Sequence, residues 1–456
     1  MSVDVDTIAA VATAAGVGGI GVVRVSGPRA LAIGRALTGR ALAPRRAVYA
    51  GFSDAAGGIL DRGIALAFPG PRSFTGEDVL ELQGHGGPVV LRLILDAVLA
   101  QGARLARPGE FTERAFSNGK LDLAQAEAVA DLIASASEAA ARGAMRSLEG
   151  AFSQAVNDID RALLELRVHV EAAMDFPEED EDFLAEGRVE DRLADLGERF
   201  DALLRDTRQG VLLRDGIAVA LLGAPNVGKS SLLNRLAGQE RAIVTEIPGT
   251  TRDLVHADLT LDGMPVQVVD TAGLRESADP VEREGVRRAR EQARRADLVL
   301  LLEDDREPGR SAALHELLAG GVEASRILRV RNKADLSGAR VGPLDADADG
   351  ATDGVTTLRV SALSGAGVPA LTDLIKARVG FAGEGTTFTA RRRHIEALSE
   401  GRGALRRAAE LLAAAAPAEL VAEELRAVHL ALGSIVGAVS ADELLGEIFA
   451  SFCIGK

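Results

Sequence analysis

Residues 217 to 234 read Ile-Ala-Val-Ala-Leu-Leu-Gly-Ala-Pro-Asn-Val-Gly-Lys-Ser-Ser-Leu-Leu-Asn. An apolar run of strand length enters a loop bounded by Gly223 and Gly228, and an amphipathic stretch then runs to about Gly238. That order is the context a phosphate-binding loop requires. The two glycines let the backbone curl so that successive N–H groups face one point. Lys229 brings a cation to the β- and γ-phosphates, and the Ser230 hydroxyl can ligate magnesium. A glycine-rich turn with no ligand is the competing reading, and the following 150 residues decide against it.

Four further apolar strands follow, and three of them run straight into a polar loop. Val266–Val269 leads into Asp270-Thr271-Ala272-Gly273, Ile327–Val330 into Asn332-Lys333-Ala334-Asp335, and Leu358–Val360 into Ser361-Ala362-Leu363; Leu298–Leu302 has the length of a buried strand. Open, doubly wound α/β sheets bind ligands outside the carboxyl ends of their strands, so these loops and the Asn226-Val227-Gly228-Lys229-Ser230-Ser231 loop are expected to meet at one nucleotide. Asp270 is placed to hold the magnesium shell through water, and the Gly273 N–H to meet the γ-phosphate. The Asp335 carboxylate accepts from the N1–H and exocyclic amine of guanine, a donor pair adenine lacks, so the motif predicts GTP rather than ATP.

Between these loops lies Thr245-Glu246-Ile247-Pro248-Gly249-Thr250-Thr251-Arg252-Asp253, a polar stretch with the character of a first switch, in which one hydroxyl completes the magnesium shell. Leu274 follows Gly273 where small regulatory GTPases place a glutamine that orients the attacking water. Leucine cannot hydrogen-bond water, so hydrolysis must recruit another polar group or a cation.

The chain has 456 residues, too many for one core. Hydrophobic residues make up 47% but aromatics only 3%, so Ala, Leu and Val must do the packing. The net charge of −15 argues against a large uniform nucleic-acid surface and makes any RNA contact local. One cysteine excludes an internal disulfide framework, and the six histidines show no metal-ligand spacing. The first residues lack a basic n-region and an apolar h-region, and no run approaches 18 uninterrupted apolar residues. A soluble, cytoplasmic, non-membrane protein is the expectation.

Residues 1–118 alternate short apolar runs with glycine-bearing turns and predict an α+β domain. Gly84-His-Gly-Gly87 and Arg107-Pro-Gly-Glu-Phe-Thr112 read as polar turns, and His85 as a turn or satisfied core histidine. Residues 119–214 turn rich in Ala, Leu, Glu and Arg at helical spacing, interrupted at Pro177 by the acids 178–182, which read as a solvated loop. The same texture returns over 380–456. The nucleotide domain, 215–379, is therefore expected to be an insertion into one helical domain.

These motifs carry a specific resemblance. Gly223-Ala-Pro-Asn226-Val-Gly-Lys-Ser-Ser, Gly249-Thr-Thr-Arg-Asp253, Asp270-Thr-Ala-Gly-Leu-Arg275 and Phe452-Cys453-Ile-Gly-Lys456 are similar to the MnmE (TrmE) family of tRNA-modification GTPases. So are Ser73–Gly87, Arg107–Phe116 and Asn118–Glu127, so the resemblance spans nearly the whole chain. It implies an amino-terminal domain that binds tetrahydrofolate and dimerises, a helical domain, and an inserted Ras-like P-loop GTPase domain. Folate, as the 5,10-methylene or 5-formyl derivative, would contact Arg24, Glu81, Lys120 and Lys456.

The resemblance further implies potassium at Asn226, Thr245, Ile247 and Thr250, magnesium at Ser230 and Thr251, and a water-orienting Glu282, with Lys229 on the phosphates. Two G domains of a homodimer would pair across that potassium. Family members act with the FAD-containing partner MnmG to add an aminomethyl or carboxymethylaminomethyl group to C5 of the wobble uridine of tRNA. Cys453, a lone cysteine in an apolar tail, would lie near the folate. One departure stands out. The family's Thr-Pro-Pro-Gly-Arg-Gly-Gly loop is Thr13-Ala-Ala-Gly16-Val17-Gly-Gly19 here, without two prolines and an arginine. The competing class is a GTP-dependent RNA-binding switch of ribosome assembly, against which stand the single P-loop and the absence of a basic GXXG loop after the G domain.

Overall fold

The computed structural model describes residues 6–175, 188–239, 255–270, 291–307, 312–344, 354–383, 388–438 and 442–455. Contacts divide it into two compact units, one formed by residues 1–130, 148–197 and 400–456, the other by 131–147 and 198–399. Among the described residues no helix is long and apolar enough to cross a membrane.

The first unit carries a six-stranded sheet of β1 (Ile8–Val11), β2 (Gly18–Ser26), β3 (Val48–Ser53), β4 (Ile59–Phe68), β5 (Val79–Gly86) and β6 (Arg104–Leu105), in the order β3-β4-β5-β2-β1-β6. All pairings are antiparallel except β1 with β6. Alternation along the strands sorts the faces. Val23, Val25, Phe52, Leu80 and Leu82 meet Ile33 and Leu37 of helix Ala30–Thr38 and Leu91, Ile94 and Val98 of helix Pro88–Ala100. The register sets Arg24 opposite Glu81 on the other face.

Gly84-His85-Gly86 is the end of strand β5, not a turn. Glycine is needed at 86 because a Cβ there would strike the Gly18 and Ile20 carbonyls of β2. His85 is not a core histidine either: its side chain is 74% exposed, with Nδ1 2.8 Å from Asp61 Oδ1.

Helices Ala151–Asp175 and Ala418–Val436 pack together, with His429 Nδ1 2.6 Å from Asp160 Oδ1. Ile448, Phe449 and Phe452 bury against Leu123 and Ala126, and the Cys453 carbonyl accepts from Gly109 N–H at 3.4 Å.

Glu110, at the start of helix Glu110–Ser117, is the buried hub of this unit's ion pairs. Burial pushes its carboxyl up, but Arg104, the Arg107 N–H at 2.8 Å and Arg114 outweigh burial and hold it at about 2, against an ordinary 4.5. A depressed carboxyl stabilises the fold above its unfolded value, and that contribution disappears as pH falls from about 4.5 towards 2. A shift of this size corresponds to about 3 kcal/mol at neutral pH. Glu110→Gln is expected to lower stability by about that amount at pH 7 in urea unfolding and by little near pH 2. An equal deficit at both pH values would contradict it.

The second unit holds β7 (Ile217–Gly223), β8 (Val255–Leu261), β9 (Met264–Asp270), β10 (Leu298–Asp304), β11 (Ile327–Asn332), β12 (Gly342–Pro343) and β13 (Thr356–Arg359), ordered β12-β13-β11-β10-β7-β9-β8. β9, β7, β10, β11 and β13 are parallel and the two edge strands antiparallel. The sequence Leu-Val-Leu-Leu-Leu of β10 has no polar alternation because both faces of the sheet are covered. The chain leaves β7 for β9 on one side and returns to β10 on the other. That reversal opens a crevice at the carboxyl end of β7, where doubly wound folds bind their ligands. The fold class read from the sequence is thus what the chain adopts.

At the edge of this unit Asp131 accepts from Arg214 Nε at 2.8 Å and Arg391 Nη2 at 2.7 Å. It joins the helix leading into β7 to the segment leaving the nucleotide domain.

Candidate functional site

The loop after β7 is shaped by backbone angles that few residues adopt. Gly223, Asn226 and Gly228 have φ of 152°, 64° and 99°. A Cβ on Gly228 would run into the Asn332 amide, so only glycine closes the loop here. Asn tolerates the left-handed region better than most residues, and Asn226 sits exposed at the crest. Helix Lys229–Gln239 begins directly behind, presenting its free N–H groups to the crevice. Lys229 Nζ donates to the carbonyls of Gly223 at 2.8 Å and Ala224 at 3.2 Å, which holds the ammonium over the loop.

Asn332 is the brace of the site. Only 2% exposed, it donates through Nδ2 to Val227 O at 2.8 Å and accepts from Ala362 N–H at 2.9 Å. One amide thus ties the phosphate loop to the loop after β13. Asn332→Ala would leave a buried carbonyl and a buried N–H unpaired, at about 1–3 kcal/mol. The expected result is a lower melting temperature and at least about tenfold weaker guanine-nucleotide binding; an unchanged affinity would contradict the brace.

Asp335 accepts from the buried Ser361 hydroxyl at 2.6 Å, which fixes its carboxylate just past the carboxyl end of β11. Lys333, at φ 70°, reaches Asp304 Oδ2 at 2.9 Å. The Arg306 hydrogen bonds, with Lys333 behind them, outweigh burial and hold the Asp304 carboxyl well below the usual carboxylate range. Arg235 donates to Ala362 O at 3.2 Å and to Leu363 O, securing the same loop from the helix side. Asp304 and Arg235 were not singled out in the sequence. For Asp304 a signal existed, since it ends a central strand at its carboxyl end.

The structure therefore brings together the 226–231, 332–335 and 361–363 groups, with Asp270 ending the adjacent β9. Thr245 to Thr251, Thr271 to Gly273, Leu274, Glu282 and Lys456 lie outside the described residues, as do the acids 178–182.

In the amino-terminal sheet, Arg24 donates to Glu81 Oε1 through Nε at 3.0 Å and Nη2 at 2.9 Å. Among the described residues Glu81 Oε2 has no partner. The Arg24 guanidinium lies 5.7 Å from the Phe74 ring and 5.9 Å from Phe111. Lys120 Nζ donates to Pro71 O at 3.2 Å. The altered loop is tied by Thr13, whose hydroxyl accepts from Val22 N–H at 3.2 Å, while Val17 is 91% exposed.

A phosphate loop at the switch point of a doubly wound sheet is the site of a P-loop nucleotide hydrolase, and the relatives of this chain make it a GTPase. Residues 123–453 match the model of the MnmE helical domain, and residues 7–120 that of the GTP-binding protein TrmE N-terminus. The chain belongs to the MnmE family of tRNA-modification GTPases. It is 54% identical to the tRNA modification GTPase MnmE of Pseudomonas entomophila (strain L48) over 99% of both chains. To the same protein of Pseudomonas savastanoi pv. phaseolicola it is 53% identical over the full length of both. Among solved structures, the G domain of the T. maritima FeoB iron transporter aligns with 36% of this chain and 98% of its own, at 25% identity and a TM-score of 0.28.

Proposed function

We propose that this chain is a potassium-dependent GTP hydrolase of tRNA modification, working as a homodimer with the FAD-containing MnmG. On this reading it adds an aminomethyl or carboxymethylaminomethyl group to C5 of the wobble uridine, with the one-carbon unit supplied by a tetrahydrofolate. The three-part division into 1–118, a helical domain of 119–214 with 380–456, and a G domain of 215–379 belongs to the same reading, as does a cytoplasmic location.

The observation that carries the reading is the Arg24–Glu81 pair, because Arg24 engages one oxygen of the Glu81 carboxylate and leaves the other without a partner among the described residues. A pterin offers an N–H and an exocyclic amine side by side, the donor pattern guanine shows to Asp335. Glu81 has an oxygen left to accept from such a pair, and Arg24 orients the carboxylate. The donor set fits a folate, with Lys120 and Lys456 as cations for its carboxylates.

In the GTPase site Ser230 would hold magnesium with Thr251, and the exposed Asn226 carboxamide would hold potassium with Thr245, Ile247 and Thr250. The ions, when bound, would supply positive charge where negative charge builds up on the transferring phosphoryl group. Lys229 contributes to the same end, and Glu282 orients the water that Leu274 cannot. Equilibrium dialysis with 5-formyltetrahydrofolate tests the folate site. Glu81→Gln is expected to weaken binding at least about tenfold through loss of a charged acceptor. No binding by the unaltered chain would remove the reading.

A further inference from the structure

The amino-terminal segment is basic within an acidic protein. Residues 6–120 contain 13 Lys and Arg against 9 Asp and Glu, whereas the whole chain carries −15. Several of these cations are neutralised: Arg24 by Glu81, Arg104 by Asp6 and Glu110, Arg107 by Glu113, Arg114 by Glu77. Eight exposed ones are not: among the described residues Arg29, Arg35, Arg40, Arg45, Arg46, Arg62, Arg72 and Lys120 have no carboxylate within 4 Å. Three of them meet at one loop, the connection between β4 and β5. Lys120 donates to the Pro71 carbonyl at 3.2 Å, and Arg45 donates to the carbonyl of the next residue, Arg72. Arg46 follows Arg45 in the chain.

Arg45 is held there at a cost. Its φ of 56° lies in the left-handed region, and its N–H is fixed to Ala67 O at 2.8 Å. Like charges gathered without counter-charges repel one another, which an arriving anion relieves. The same loop continues into Phe74, whose ring lies beside the Arg24 guanidinium. The cation strip and the Arg24–Glu81 pair are therefore two ends of one connection.

That continuity points to the ligand. With the pterin donors on Glu81, the glutamyl end of a folate extends towards Lys120, and each added γ-linked glutamate brings one more carboxylate. We propose that Arg45, Arg46 and Arg72, continuing from Lys120, form a subsite for the poly-γ-glutamyl tail of the tetrahydrofolate. The inference rests on the folate reading above. Four cations neutralise at most about four phosphates, a small footprint for an RNA backbone and a sufficient one for a short oligocarboxylate.

The test compares 5-formyltetrahydrofolate carrying one glutamate with the same compound carrying three, titrated into the full chain by calorimetry. Two additional exposed charge pairs predict about tenfold tighter binding of the triglutamate at low salt, an advantage that shrinks as sodium chloride rises. Arg45→Gln with Arg72→Gln is expected to erase that advantage while leaving monoglutamate affinity and melting temperature unchanged. Arg45→Lys with Arg72→Lys should retain most of it. Equal affinity for both compounds in the unaltered chain overturns the subsite but leaves the folate reading standing. Failure to bind either compound overturns both. A Gln variant that keeps the triglutamate advantage yet loses tRNA affinity would assign the strip to RNA and overturn the proposal.

Discussion

Potassium chloride is expected to accelerate GTP hydrolysis by the full chain about a hundredfold over sodium chloride at equal ionic strength, and Asn226→Ala is expected to abolish the difference. Leu274 stands next to Gly273 where small regulatory GTPases carry the amide that orients the attacking water. A replacement charge must enter from elsewhere, and loss of one preorganised electrostatic contact at a transition state costs about 10²–10³ in rate. Asn226 is exposed on the phosphate loop and held at φ 64°, and its carboxamide is the proposed ligand of that charge. The ionic radius decides the outcome, since sodium and potassium carry equal charge and screen equally. Equal rates in the two salts would sink the mechanism and leave hydrolysis to a protein partner.

Asp335→Asn should cost GTP affinity roughly 300-fold and confer binding of xanthosine triphosphate. Guanine offers two donors to the carboxylate, and each hydrogen bond to a charged acceptor contributes about 1.5–3 kcal/mol. Xanthine carries a carbonyl where guanine has its amine, and an asparagine amide can donate to it. Ser361 stays in place to orient the new side chain, so the exchange swaps hydrogen-bond polarity without emptying the site. Competition binding with both nucleotides reads the result. Undiminished GTP affinity, or a loss of GTP with no gain of xanthosine triphosphate, would show that Asp335 does not read the base.

Much of this site was legible because its parts are local. Gly223 to Ser230 is a continuous segment whose loop angles follow from its own glycines and Asn226, and Asp335 lies three residues beyond the end of β11. What escaped the sequence depends on contacts between distant segments. Asn332 reads as a nucleotide ligand within its tetrapeptide, yet both ends of its amide are taken by loops 105 and 30 residues away. The Arg45 contact with the Arg72 carbonyl spans 27 residues. Gly84-His85-Gly86 misled because glycine is chosen there for the approach of β2, a neighbour that composition does not reveal.

The first compact unit is assembled from three stretches of chain, and its third, 400–456, contributes Phe449 and Phe452 to the packing around Leu123. During synthesis these groups emerge roughly 320 residues after residue 130, which at about 5–20 residues per second is a delay of roughly 16–64 s. For that interval the nascent chain displays an unfinished apolar seat around Leu123 and Ala126. The last assembly step of the unit must therefore wait until residues 448–452 have been made.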